Sequence, residues 1–335
     1  MSGTMRAVCL LRRPAGEPAP GDFELRDLPL VPLAPGQVLV RNHYMSVDPN
    51  MRGRLEPTEK HYTHNLTPGE PLDGRALGEV VESRAPHVPV GAFVRHQLGW
   101  RDLSVVDAAA AVPVDPALAP LPAWLGLLGQ TGFTAYVGLL RIGELREGDT
   151  VLVSAAGGAV GSAAGQFARL MGAGRVIGTA GGPAKCRRLV AELGYDGAID
   201  YRAEDVRTGL EREAPGGVDL YFDNVGGRQL ADALHALTVE GRVVLCGMMS
   251  QYGENGAAPS LHHLIQAVLK RLTLRGFIVR DHEDLRTEFE RRVSGWLAAG
   301  QVASVETVVD GLDHAVDAFL AMLRGANTGK MLVRL

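Results

Sequence analysis

The sequence predicts an α/β protein: a β-rich first domain, then a doubly wound parallel sheet with helices on both faces. Three observations carry this. From Thr150 onward, short apolar runs alternate with amphipathic stretches, the order of repeated strand–helix units. A glycine-rich turn joins the first of those runs to the first of those helices. Before Leu121 the chain is rich in Pro and Gly and carries short β-like runs instead. With 335 residues, 46 % of them apolar, there is material for two cores.

In chain order, residues 38–42, 78–82 and 92–94 read as strands, with Ala34-Pro35-Gly36 and Thr67-Pro68-Gly69 as turns between them. Composition changes near Pro122, and residues 123–128 and 133–140 are expected to be helical. Strands follow at 151–153, 175–179, 197–200, 218–223, 241–246 and 272–279. Helices are expected to start just after Gly161 and at 183–193, 228–237 and 284–299. The tail from Glu306 reads strand, helix, strand, a return to the first domain. The expected boundaries are therefore 1–121, 122–299 and 300–335.

The turn after 151–153 is Ser154-Ala155-Ala156-Gly157-Gly158-Ala159-Val160-Gly161. Small residues let the backbone approach a pyrophosphate, and the helix N-terminus offers free N–H groups. As a G-x-G-x-x-G fingerprint it is imperfect, with Ala156 in place of the first glycine. Charge decides which dinucleotide is expected. No Asp or Glu lies between Asp149 and Glu192 to bond ribose hydroxyls, while Thr179-Ala180-Gly181-Gly182 is followed by Lys185, Arg187 and Arg188. A missing acid beside cations favours the extra phosphate of NADP over a merely solvated basic helix face.

Two further strand ends matter, because ligands of open α/β sheets bind at carboxyl ends of strands. Asp223-Asn224-Val225-Gly226-Gly227 follows the fourth strand; Asn224 is either a ligand contact or an Asx-turn cap, and the two readings stand equal. Cys246-Gly247-Met248-Met249-Ser250-Gln251-Tyr252 follows the fifth. The Tyr252 phenol, protonated at neutral pH with an ordinary pKa of about 10, suits stabilisation of charge developing on a carbonyl oxygen. Against this stands the commoner case of a half-exposed loop tyrosine. Cys246 ends an apolar run and is expected to pack rather than react.

Other chemistries find little support. Cys9, Cys186 and Cys246 form no CxxC pair, and His61, His64, His262 and His263 have no cysteine or carboxylate set at ligand spacing, so no metal is expected. No G-x-S-x-G elbow suggests a hydrolase. A net charge of −4 gives no reason to expect a polyanion partner. Residues 1–6 lack the apolar core of a signal peptide and no apolar run reaches membrane-spanning length, so the expectation is a cytoplasmic protein.

These motifs together resemble the zinc-independent medium-chain dehydrogenase/reductases. More closely, they resemble the prostaglandin and leukotriene reductases, plant double-bond reductases and bacterial curcumin-type reductases. The matching segments are Ser46-Val47-Asp48-Pro49-Asn50-Met51-Arg52-Gly53-Arg54, Gly132-Phe133-Thr134-Ala135-Tyr136, the turn ending in Gly161, Lys185-Cys186-Arg187 and Asp200-Tyr201. Phe222 with the loop to Gly227, residues 246–252, Gly276-Phe277-Ile278-Val279 and residues 323–330 continue the match in the family's order.

The resemblance implies a GroES-like first domain with a Rossmann domain inserted before the C-terminal return. It implies NADPH, held at its pyrophosphate by Gly158, Ala159, Val160 and Gly161, with Lys185 and Tyr201 near the extra phosphate. Asn224, Cys246, Gly247, Met248, Ser250, Tyr252, Phe277, Ile278, Val279 and Asn327 would also line the cofactor. The implied reaction reduces the carbon–carbon double bond of an enone or enal, with Tyr252 as proton donor or enolate stabiliser. A homodimer is expected, paired through the sheet edge at 272–279. One departure affects substrate range: where the family often has a tyrosine lining the substrate cleft, this chain has Asn50. A quinone reductase is the alternative, and a non-catalytic NADPH-binding protein a more remote one.

Overall fold

The computed structural model of the chain describes residues 3–56, 64–251 and 263–335. They form two compact units: Met1–Leu125 with Glu306–Leu335, and Gly126–Val305.

In the first unit, β1 (Thr4–Leu10) and β2 (Phe23–Pro29) pair antiparallel. Then come β3 (Gln37–Ser46), a short helix α1 (Met51–Arg54), β4 (Ala76–Ser83), β5 (Phe93–His96), β6 (Leu103–Asp107) and β7 (Val112–Val114). Alternation shows on β4 and β5, where inward Val80 and Val94 are wholly buried and flank less buried neighbours.

The second unit opens with a 3-10 turn at its approach (Leu121–Trp124) and α2 (Gln130–Val137), whose last turn widens over Gly138–Ile142. The helix expected at 123–128 does not form. Gly126 and Gly129 interrupt the run, and a Cβ on Gly132 would strike the Leu127 carbonyl, so the turn folds back onto the start of α2. Strands and helices then alternate: β8 (Thr150–Val153), α3 (Ala159–Leu170), β9 (Arg175–Ala180), α4 (Pro183–Glu192), β10 (Gly197–Asp200), α5 (Val206–Glu213), β11 (Val218–Asp223), α6 (Gly227–Ala236), β12 (Leu237–Leu245), α7 (Ile265–Leu269), β13 (Thr273–Gly276) and α8 (Arg286–Ala298).

All six strands of this sheet are parallel, in the order β10-β9-β8-β11-β12-β13. Numbered from β8 as first, that is 3-2-1-4-5-6, the doubly wound Rossmann order, whose direction reverses between β8 and β11. Its core strands are buried on both faces, as Val151, Leu152, Val153, Tyr221 and Phe222 show at 0 % exposure. The sixth strand is shorter than expected. Its pairing with β12 ends at Gly276 opposite Leu245, so Phe277 and Ile278 lie beyond the sheet and Val279 opens a 3-10 turn.

The chain returns to the first unit as β14 (Glu306–Asp310), α9 (Ala315–Leu323) and β15 (Lys330–Arg334). These complete a seven-stranded sheet ordered β14-β15-β3-β4-β5-β7, with β6 also on β3. A GroES-like β unit and a Rossmann unit are thus both present. No helix among the described residues is long and apolar enough to cross a membrane.

Candidate active site

The reversal between β8 and β11 places two chain ends side by side, and one carboxylate organises both. Asp223, fully buried, takes hydrogen bonds on Oδ1 from Ser154 Oγ (3.0 Å), the Tyr221 hydroxyl (2.7 Å), and the backbone N–H groups of Val225 and Gly226 (3.0 Å each). Ser154 Oγ in turn accepts the Asn224 N–H (2.8 Å), and the Asn224 side-chain amide donates to the Ser154 carbonyl (2.8 Å). Burial, with the Asp223 charge beside it, raises the Tyr221 phenol well above its ordinary pKa. The Asx-type cap here is therefore Asp223, while Asn224 stitches β8 to β11.

The segment after β12 fastens onto the same loop. Cys246 and Gly247 donate backbone N–H bonds to the Asp223 carbonyl (2.9 and 3.1 Å), Met249 to that of Asn224 (3.3 Å), and Ser250 to that of Val225 through both its N–H and its hydroxyl (3.0 and 2.7 Å). Met248 lies over Gly226. Burial, then the Asp223 charge, pushes the Cys246 thiol up to about 12. A thiol held protonated at that level is a poor nucleophile, in keeping with a packing role. Tyr252 lies outside the described residues, two positions past Ser250.

The glycine turn has the predicted geometry of close approach. Ala155 adopts a positive φ of 47°, uncommon for a residue with a side chain. A Cβ on Gly161 would collide with the Ala155 carbonyl, so only glycine closes this turn. Gly158 flanks the N-terminus of α3, and Ala159, Val160 and Gly161 form its first turn. The Gly161 carbonyl accepts from the buried Tyr195 hydroxyl (2.7 Å), fixing α3 against the loop before β10.

Beside that turn, the end of β9 gathers cations. Lys185 on α4 runs across Gly157, its Cδ 3.4 Å from where a Cβ would stand. Tyr201 and Arg202, just past β10, pack over Gly181. Arg202 escaped the sequence reading, although it directly follows Tyr201; only strand order shows that β10 delivers it to the end of β9. Desolvation, then the Arg202 charge, lowers the Lys185 pKa. The nearby acid is Asp200, whose carboxylate accepts the N–H groups of Gly182 (2.9 Å) and Arg202 (3.0 Å). Gly182 sits at φ 99°, a conformation that favours glycine. Arg188, expected among the cations, pairs instead with Glu192.

The remaining predicted residues lie on other elements. Phe277 packs on Gly138, and Ile278 is 37 % exposed, both in the Rossmann unit but past the end of β13 at Gly276. Asn50 and Asn327 belong to the other unit. Asn50 leads into α1 without capping it, and the Asn327 amide donates to the Gly329 carbonyl (2.8 Å). Of the histidines, His61 and His262 lie outside the described residues. His64 meets Asp73 (2.6 Å) and His263 meets His235 (2.6 Å).

Two family profiles match: "N-terminal domain of oxidoreductase" over residues 6–114, and "Zinc-binding dehydrogenase" over residues 159–294. The NADPH-dependent curcumin reductase of Escherichia coli (strain K12) is 37 % identical over 335 residues, covering 98 % of this chain and 96 % of that protein. The NADP-dependent 2-alkenal reductase of Nicotiana tabacum is 35 % identical over 333 residues, with coverage of 98 % and 96 %. The crystal structure of CurA from Vibrio vulnificus in complex with NADPH superposes with a TM-score of 0.92 at 37 % identity, over 98 % of each chain. The chain belongs to the medium-chain dehydrogenase/reductases, in the zinc-independent branch. Among the described residues no group of three or more His, Cys, Asp or Glu could hold a metal. The cysteines stand apart on β1, on α4 and past β12.

Proposed function

We propose that the protein is an NADPH-dependent reductase of the carbon–carbon double bond of α,β-unsaturated ketones and aldehydes. The observation that carries the reading is the paired loop system at the β8/β11 reversal, adjoining a glycine turn and the cations at the end of β9. When bound, NADPH supplies a hydride to the β-carbon of the substrate. The chain's own groups do the rest. Gly158, Ala159, Val160 and Gly161 receive the pyrophosphate at the start of α3, where the first-turn N–H groups of Ala159, Val160 and Gly161 face the anion while the Gly158 N–H holds the turn on the Ala155 carbonyl (2.9 Å). Asp223 ties the turn after β11 to Ser154, and the Ser250 segment fastens onto that turn; Asn224 and Ser250 would line the cofactor. Tyr252 donates a hydrogen bond to the substrate carbonyl, where negative charge grows as the double bond is reduced. With no suitable metal ligands among the described residues, hydrogen bonding takes the part a Lewis acid would otherwise play.

Lys185, Tyr201 and Arg202 meet the 2′-phosphate, while the Asp200 carboxylate is engaged by the backbone N–H groups of Gly182 and Arg202. A charge-assisted contact is worth roughly 1.5–3 kcal/mol, so Lys185→Ala weakens NADPH by about ten-fold or more. Fluorescence titration checks this; equal affinity of the unmutated protein for NADPH and NADH would overturn the assignment.

We also propose a homodimer through β13. This strand ends the sheet, and the adjoining α7 carries Ile265, Val268 and Leu269 at 56 %, 72 % and 61 % exposure. Light scattering at micromolar concentration is expected to give twice the chain mass, and a monomer mass counts against it. The function itself is tested with a panel of enones, enals and quinones, following NADPH oxidation and identifying products. A saturated ketone is expected, whereas turnover confined to quinones would favour the alternative.

A further inference from the structure

The first unit carries a buried ion pair between the start of β15 and the turn that follows β3. Lys330, at the start of β15 and 2 % exposed, donates from Nζ to the Val47 carbonyl (2.8 Å) and to Asp48 Oδ1 (2.8 Å). Asp48, 8 % exposed, accepts on Oδ2 from Ser46 Oγ (2.6 Å) and from Arg75 Nη1 (3.3 Å). Around them lies an apolar cluster that includes Met45, Val47, Met51, Met331 and Val333. Burial opposes the Asp48 charge, but Lys330 and Arg75, with the hydrogen bonds from Lys330 and Ser46, hold its carboxyl well below the usual range. Burial lowers the Lys330 pKa, with Asp48 opposing.

Apolar residues of similar volume would usually serve stability in such a place as well or better. What an ion pair adds is direction, and here it points at two loops. One is the turn from Ser46 into α1, which bears Asn50. Its geometry is set by the Met51 N–H on the Asp48 carbonyl (3.2 Å), the Arg52 N–H on that of Pro49 (3.0 Å), and the Val47 N–H on that of Met331 (3.1 Å). The other is the turn between α9 and β15. There the Asn327 amide bonds the Gly329 carbonyl, and Thr307 Oγ1 holds Thr328 by both its N–H (3.0 Å) and its carbonyl (2.8 Å). Lys330 is the next residue after Gly329 and reaches across to Asp48. One lysine thus ties the loop of Asn50 to the loop of Asn327.

We propose that Lys330 and Asp48 are a positioning pair, which fixes the Asn50 loop against the Asn327 loop and so sets the fit of the enone substrate. This rests on the reading above, in which Asn50 meets substrate and Asn327 meets cofactor.

The test uses the full chain with Asp48→Asn, Lys330→Met and the double variant. Asp48→Asn alone leaves a buried cation without its counter-charge and should melt well below the unmutated protein. The double variant removes both charges and should recover most of that loss. If the pair positions the loops, kcat/KM for 3-buten-2-one in the double variant nevertheless stays about ten-fold or more below the unmutated value, mostly through KM. Recovery of kcat/KM together with the melting temperature overturns the proposal.

Amide hydrogen exchange gives a readout independent of turnover. Met51, Arg52, Arg54 and Thr328 should exchange about ten-fold or more faster in the double variant, with the β3–β4 amides unchanged. Unchanged protection at those four sites overturns the pair's role even if the unmutated protein fails to reduce 3-buten-2-one. That failure, taken alone, sinks only the reading of the site.

Discussion

Replacing Tyr252 by phenylalanine lowers turnover of an enone by roughly a hundred- to thousand-fold and leaves NADPH affinity nearly unchanged. The substitution keeps the ring and removes one donor. Hydride addition to the β-carbon drives charge onto the carbonyl oxygen, so a fixed O–H binds the transition state more tightly than the ground state. Loss of one such donor costs about 2.7–4 kcal/mol. The described segment before Tyr252 is tethered: Cys246 and Gly247 are hydrogen-bonded to the Asp223 carbonyl at the end of β11, and Met249 and Ser250 to the loop that follows. Steady-state kinetics on several enones and a fluorescence titration check both halves. A variant as fast as the parent on every substrate makes Tyr252 an ordinary loop residue.

The second large effect is at Asp223. Asp223→Ala leaves the Tyr221 and Ser154 hydroxyls and the Gly226 N–H without their acceptor inside the protein. Each buried donor left unsatisfied costs about 1–3 kcal/mol, so the loss is at least about 3 kcal/mol. At roughly 2–4 °C per kcal/mol for a unit of this size, melting should fall by about 6 °C or more. NADPH affinity should fall as well, at temperatures where the variant is still folded, because the carboxylate holds the Val225 and Gly226 N–H groups and the Ser250 segment is fastened in turn to the Val225 carbonyl. Asp223→Asn, which keeps shape and part of the hydrogen bonding, should fall between. Calorimetry and cofactor titration measure the two effects; an alanine variant with parental melting and parental affinity contradicts the account.

Much of the Rossmann unit was legible because its signals are local. Residues 197–200 and 218–223 are short apolar runs closed by an acid or a turn, and both formed as read. The Gly161 turn was legible for a similar reason, since close approach demands small residues whatever surrounds them. What failed depended on partners far along the chain. Phe277, Ile278 and Val279 continue an apolar run, but the strand stops where β12 stops offering a partner at Leu245. α5 went unread because a single turn of it is buried, through Val206, Gly209 and Leu210, against an otherwise polar sequence. Arg202 and the five hydrogen bonds to the Asp223 carboxylate have no motif at all. They become visible only when strand order brings β10 beside β9 and β11 beside β8.

The most direct measurement follows a label from cofactor to product. NADPH deuterated at the transferring position of the nicotinamide is supplied with an enone, and the product is examined by mass spectrometry and NMR. The account predicts a saturated ketone with one deuterium on the β-carbon and a solvent-derived hydrogen on the α-carbon. Deuterium on the carbonyl carbon of an allylic alcohol would contradict it.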